Sequence, residues 1–433
     1  MGLSSLLLLT ASAFTNAAAR EREPIGLHHA LQQLTREGKF SGAVVVRGPG
    51  LVHFARGYGW ADPFERRVFT PHTPADSASL AKPITSAAVL LLVRDGKVEL
   101  DAPVQRYLSE YPHSSATVRH LLSHSAGLDM KETSEGLANR SNAQLLAASA
   151  APLFSPGSAF TYCNLCSMTL ALLIERVAGM HYLEFMKKRI VVPPDVSLRP
   201  QRLADWRGRA IGHRRKADGR MERFDSWDGE LLYGAANFSI SAAQLADWGS
   251  EWWKPRLQSI RQAAITPARI GRNESGLTLG NWYCAPRGRR CHYLGHHEGF
   301  HHMLYWDAAR RVSVAMVTNN TLAPAFHQRL QRALVAFAEN RPVAARRQLQ
   351  VRLPNLEAPA GAFMMRAGEQ LMVKKSGSEM SVVRRGINYP AYPTGSVIRY
   401  VPGLDAYIAG DKRGRLHWIS LYDEFVGLPL ERR

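Results

Sequence analysis

A serine stands three residues ahead of a lysine in Ser79-Leu-Ala-Lys82, where the most apolar helical stretch of the chain begins. On a helix that spacing is one turn, so a hydroxyl and an ammonium stand side by side. Serine is a poor nucleophile until a base takes its proton. A lysine in an apolar, partly desolvated place can be neutral and act as that base. A helix N-terminus also aims backbone N–H groups at any anion formed there. Ser-x-x-Lys occurs once in the sequence. Taken alone, it reads equally as a capping serine beside a surface lysine.

Two further short patterns also occur once each. In Tyr162-Cys-Asn164, a phenol beside a cation can shuttle a proton and an amide can hold a substrate carbonyl. In His297-Glu-Gly299, a small glycine on a strand edge lets a substrate lie against the backbone. The N–H of the next residue, Phe300, would then pair with that of Ser79 as an oxyanion hole. The same segment also reads His297-Glu298-x-x-His301, a zinc-hydrolase pattern with Glu298 as general base, and His292, His296 and His302 stand nearby. That pattern needs a helix. Gly295, Gly299 and the β-branched run that follows argue against one. The expectation is therefore an enzyme without metal or other cofactor.

Around these residues, 40–60 alternate about Gly-Pro-Gly as a strand hairpin. From Ser79 the pattern turns helical. Ala87 to Val93 is apolar on every side, which predicts a buried central helix stopped by Asp95-Gly96. Residues 115–250 read as mainly helical, and 290–320 as strands again, with the run Arg311 to Thr318. After a basic, Pro-containing stretch from Arg341, the tail becomes short alternating runs between Gly and Pro turns. This predicts a small all-β domain.

The chain has 433 residues, 45% hydrophobic and 21% charged, so a disordered, coiled-coil or collagen-like protein is excluded. Lys and Arg number 55 against 36 Asp and Glu, giving +19, and only 11 of the basic residues are lysines. The excess is scattered, no basic helix or nucleic-acid signature accompanies it, and no nucleic-acid partner is expected. The basic loop holding Arg287, Arg289 and Arg290 is read as a selector for anionic substrates. Leu3 to Phe14 is apolar, Thr15 to Ala19 is small, and charges follow from Arg20; this predicts a signal peptide over residues 1–19 and a periplasmic or secreted protein, with an uncleaved anchor as the alternative. Contact with the cell envelope would follow from such export. Cys284 and Cys291 could close a hairpin disulfide, whereas Cys163 and Cys166 read as two buried thiols.

Ser-x-x-Lys, then Tyr-x-Asn, then His-x-Gly is the order of motifs in the serine β-lactamase-like superfamily, which this chain resembles over roughly residues 25–340. The likeness is to the class C-type branch with its penicillin-binding-protein-like esterases and D-aminopeptidases. Asp95 to Val104, Val118 to Leu128, Phe160 to Gly179 and Phe300 to Asn319 are similar to stretches of that family. The resemblance implies an α+β fold: an α/β lobe on an antiparallel sheet flanked by helices, an all-helical lobe, and the active site between them. It also implies a small β-barrel-like tail. The organisation expected is a signal peptide over 1–19, a hydrolase domain over 20–345 and a C-terminal domain over 346–433. By the same likeness Ser79 would be acylated, Lys82 would be its base and Tyr162 the proton shuttle. Asn164, His297, Gly299 and Phe300 would bind substrate. The family's segment behind the third motif is shortened here, so His296 and His297 are alternative holders of that place. His297-Glu298-Gly299 where β-lactamases carry Lys-Thr-Gly favours an esterase or D-peptidase, acting on a small ester or peptide, over antibiotic hydrolysis. The alternative is a non-catalytic relative that binds cell-wall peptide or lipid.

Overall fold

The computed structural model describes residues 25–49, 54–128, 140–148, 152–190, 197–198, 202–215, 220–225, 232–236, 238–270, 273–285, 288–322, 324–339, 356–364, 370–384, 387–393, 399–401, 406–410, 412–420 and 424–429. The predicted leader, the basic stretch from Arg341 and Arg287 lie outside them.

The central sheet is antiparallel throughout. Its strands are β1 (Gly42–Arg47), β2 (Ala55–Tyr58), β3 (Tyr283–Cys284), β4 (Arg290–His297), β5 (Phe300–Asp307) and β6 (Val312–Thr318), in the order β3-β4-β5-β6-β1-β2. An early strand and a late one of this sheet thus meet at β1 and β6, Val44 opposite Met316. Every residue of β6 is buried because both faces of the sheet are covered. Side chains alternate between the two faces. Val312, Val314 and Met316 pack with α1 (Ile25–Arg36) on one side, while Ala315 and Val317 join the larger core on the other.

That larger core is built around α2 (Ala81–Arg94), whose residues from Ala81 to Leu92 are all buried. A helix apolar on every side needs neighbours on every side. It finds them in α3 (Val118–Leu122), α4 (Asn142–Ala147), α5 (Asn164–Ala178), α6 (Tyr182–Arg189), α7 (Ala242–Ser250) and α8 (Pro255–Ala264). Four tryptophans, Trp248, Trp252, Trp282 and Trp306, stack where α7 meets the sheet. The middle of the chain is less purely helical than its sequence suggests. Between Ser197 and Ile240 it contributes short strand pairs, such as His213–Arg215 with Met221–Arg223.

The last helix, α9 (Pro324–Ala338), covers the α1 side of the sheet with Leu330, Leu334 and Phe337. Beyond it the strands from Gly361 to Pro429 close into an eight-stranded barrel. Along Gln370–Ser376, Leu371 and Val373 face a core shared with Val382, Ile408 and Trp418, while Met372 and Lys374 face outward. That alternation is the small all-β unit expected of the tail. No described helix is long and apolar enough to cross a membrane.

Candidate active site

Ser79 lies on a single 3-10 turn, Ala78–Leu80, that feeds directly into α2. The turn is pinned from both sides. Asp76 Oδ1 accepts the Ala78 N–H at 2.8 Å, and the Ser77 N–H donates to the Phe238 carbonyl at 2.8 Å. Ala78 sits at φ +47°, a left-handed conformation that costs an L-residue energy and is held only by such surroundings. The sharp turn presents the Ser79 side chain at the end of α2.

Lys82 is fully buried in the first turn of α2. Its Nζ donates to Ser79 Oγ at 3.1 Å and to the Ala235 carbonyl at 3.0 Å, and it lies 4.7 Å from the centre of the Tyr162 ring. The Tyr162 hydroxyl donates to the same Ser79 Oγ at 2.7 Å. Three side chains named from sequence spacing therefore meet at one oxygen, although Tyr162 is 83 residues away. Asn164 is the first residue of α5 and half-buried, two positions from Tyr162.

Sequence spacing alone missed the support beneath Tyr162. His124, in the left-handed region at φ +54°, stacks its ring on the phenol with centroids 5.1 Å apart. Its Nδ1 accepts the Cys163 N–H at 3.1 Å, so the proton is on Nε2, which donates to Asn281 Oδ1 at 2.6 Å. Asn281 Nδ2 donates in turn to Ser86 Oγ and the Leu122 carbonyl. Burial pushes His124 down to about 4, so this ring is a neutral strut at physiological pH. His124 lies inside the Val118–Leu128 stretch, but no spacing rule singles it out.

Cys163 and Cys166, expected as thiols, are joined in a disulfide. Cys163 caps α5 and Cys166 is three residues on, which brings their Cα atoms within 5.3 Å. The bridge lies directly behind Tyr162. Cys284 and Cys291 form the expected second bridge, across the β3–β4 pair.

The third element is placed differently from its sequence reading. His297-Glu298-Gly299-Phe300 is the tip of the β4–β5 hairpin, with His297 opposite Phe300. A Cβ on Gly299 would meet Phe224 O at 2.3 Å and Gly212 Cα at 2.7 Å, so the tip packs against Gly212 and Phe224. The strand approaches the Ala78–Leu80 turn earlier, at Gly295, where a Cβ would meet Ser77 O at 2.9 Å and Leu80 N at 3.2 Å. Phe300, closing a two-residue turn, directs its N–H across the hairpin to His297 and not towards Ser79. In the same alternation, the His296 N–H points out of the edge that β3 leaves uncovered beyond His292. The faces separate the two candidate histidines. Tyr293, Gly295 and His297 share the Ser79 side, and the His296 side chain lies on the other. Since His297 is on a hairpin, the zinc-hydrolase pattern lacks its helix.

His302, buried on the Ser79 side, ties the sheet to this turn. It accepts the Thr318 N–H at Nδ1, 3.2 Å, and reaches the Asp76 carbonyl through Nε2, 2.8 Å. Of the basic loop, Arg290 pairs with Glu339 at the end of α9.

Residues 27–338 match the beta-lactamase family. The chain belongs to that family. The beta-lactamase-family stretch is 28% identical over 171 residues to penicillin-binding protein 4* of Bacillus subtilis, covering 37% of this chain and 38% of that protein. It is 34% identical over 171 residues to esterase EstB of Burkholderia gladioli, covering 34% and 43%, and 32% identical over 161 residues to a D-aminopeptidase of Brucella anthropi, covering 35% and 31%. The matches thus span less than half the length of these relatives. Among solved structures, the octameric penicillin-binding protein homologue from Pyrococcus abyssi superposes with a TM-score of 0.62 at 19% identity, covering 93% of this chain and 99% of that one. That likeness establishes the β-lactamase and penicillin-binding-protein fold.

Proposed function

We propose that this beta-lactamase-family chain is a serine hydrolase that works through an acyl-enzyme on Ser79. The observation that carries the reading is the convergence of Lys82 Nζ and the Tyr162 hydroxyl on Ser79 Oγ, at 3.1 and 2.7 Å. With Lys82 neutral, that contact passes the Ser79 proton to Nζ while Oγ attacks the substrate carbonyl. The carbonyl electrons move onto its oxygen, which the N–H groups of Ser79 and His296 would receive. Collapse expels the alcohol or amine, which takes a proton relayed through Tyr162. Water then attacks the ester on Ser79 by the reverse proton path, releasing the acid and restoring the serine. Asn164 would hold the substrate's amide or ester carbonyl, and no metal takes part in these steps.

The substrate class proposed is a small ester or a D-amino-acid amide. The named esterase and D-aminopeptidase relatives support it, as does the absence of a lysine at Tyr293-Leu294-Gly295, where the strand meets the nucleophile turn. Export through residues 1–19 would give access to envelope substrates.

The deciding experiment is intact-mass analysis after a fluorophosphonate probe, beside Ser79→Ala. One adduct, mapped to Ser79 and lost in the variant, is the expected result. A folded protein that takes no adduct would replace this reading with a non-catalytic binder of cell-wall peptide or lipid.

A further inference from the structure

On the sheet face turned away from Ser79, three histidines from three elements converge. His296 on β4 and His301 on β5 are directly opposite across the hairpin, with ring centroids 4.3 Å apart. His327 comes from α9, its ring 5.0 Å from that of His296 and 5.5 Å from that of His301. His296 Nε2 and His327 Nδ1 are 3.1 Å apart, and the Gln331 amide, one turn further along α9, lies 3.2 Å from His327 Nε2. Each imidazole offers a ring nitrogen, and these atoms all lie within 4.8 Å of one another.

Around a tetrahedral zinc ion with bonds near 2.0–2.1 Å, ligand nitrogens stand roughly 3.4 Å apart. The three nitrogens, now within 4.8 Å of one another, would close to that spacing on an ion. His301 and His327 are each 2% exposed, while His296 is half-buried, leaving one side for a fourth ligand such as water. Apolar Leu294, Met303, Met316, Leu330 and Leu334 form one cluster on this face, and Gln331 is a polar neighbour of His327. Three imidazoles gathered in such a cluster are costly to desolvate, and a shared cation offsets that cost.

We propose that His296, His301 and His327 form a three-histidine site for a divalent transition metal, zinc by donor type, that clamps the β4–β5 hairpin to α9. The proton now between His296 Nε2 and His327 Nδ1 moves to the other nitrogen of its ring when the metal takes both lone pairs. The site is separate from His297-Glu298-x-x-His301, because His297 leaves on the opposite face. It meets the hydrolase reading only at the main chain of His296, because the His296 side chain leaves on the face away from Ser79.

The test uses the full chain, stripped with chelator and titrated with Co²⁺ as a visible probe, then with competing Zn²⁺. One equivalent per chain with the absorption of four-coordinate Co²⁺ is expected. It should be displaced by Zn²⁺, lost in His327→Gln and His296→Gln, and kept in His297→Gln. Fluorophosphonate labelling of Ser79 should continue in the metal-free protein. If His327→Gln does not fold by circular dichroism, the half-buried His296→Gln decides. Failure of the parent chain to bind one equivalent, or binding that survives in both folded variants, overturns the site. Loss in His297→Gln alone would overturn it in favour of the linear motif.

Discussion

Ser79 Oγ accepts from two donors at once, and the difference between those donors is testable. Lys82 is buried along its whole side chain, whereas the Tyr162 hydroxyl reaches in from the N-terminal end of α5 and is better placed to hand a proton to a departing group. Tyr162→Phe is expected to slow acylation of Ser79 by roughly 10²–10⁴-fold, the range for a positioned general acid–base. Single-turnover acylation by an unactivated alkyl ester, whose leaving group needs a proton, would measure it; an unchanged rate would remove Tyr162 from the proton path. The two glycines of the hairpin also separate by position. Gly295→Ala places a methyl 2.9 Å from Ser77 O and should shift the turn that carries Ser79, lowering the probe-labelling rate. Gly299→Ala, at φ +71° and against Phe224, should lower the melting temperature more than the labelling rate. The reverse order would put the strand–nucleophile contact at the hairpin tip.

Between elements, the working parts are struts more than catalytic groups. His124 joins α3's exit to Tyr162 and, through Asn281, to α2, and it does so as a neutral ring. Burial lowers its pKa to about 4 from an ordinary 6.5. Between those pH values the unfolded chain binds a proton that the native state refuses. The stability this group provides is therefore full above pH 6.5 and is lost as pH falls towards 4. Over that window the loss amounts to about 3 kcal/mol. Urea melts of the parent and His124→Gln at pH 7 and pH 5 would show it: the variant, less stable at pH 7, should lose less on acidification. Equal losses in both proteins would mean that His124 is not held neutral by the fold.

For the molecule as a whole, the core around α2 and the core of the barrel share no residue. The tryptophan cluster lies in the core around α2, and Trp418 lies in the barrel's own core. Trp252→Ala should cost about 3–5 kcal/mol and abolish Ser79 labelling at moderate denaturant, as large-to-small changes in a dense core do. Trp418→Ala should destabilise the barrel by a similar amount while Ser79 still labels in buffer. Loss of labelling in native buffer on Trp418→Ala would mean that the barrel is needed to hold the cleft together.

The sequence by itself determined the order and type of the main elements, the buried helix beginning at Ser79-x-x-Lys82, the β character of residues 290–320 and the β tail. These follow from apolar periodicity and from short-range spacing, which a linear reading resolves because neighbours three or four residues apart on a helix must touch. It also singled out Tyr162, in the one Tyr-x-Asn of the chain, although only the resemblance tied that pattern to Ser79. Tertiary structure alone decided which glycine of the β4–β5 hairpin touches the turn that carries Ser79, since Gly295 and Gly299 look alike until the hairpin register fixes their distances. It decided which of two adjacent histidines faces Ser79, because a strand sends neighbouring side chains to opposite faces and one residue of register reverses the answer. It joined Cys163 to Cys166 through the cap of α5, a backbone geometry that no spacing rule specifies. And it gathered His296, His301 and His327 from strands and a helix that only the folded sheet brings together.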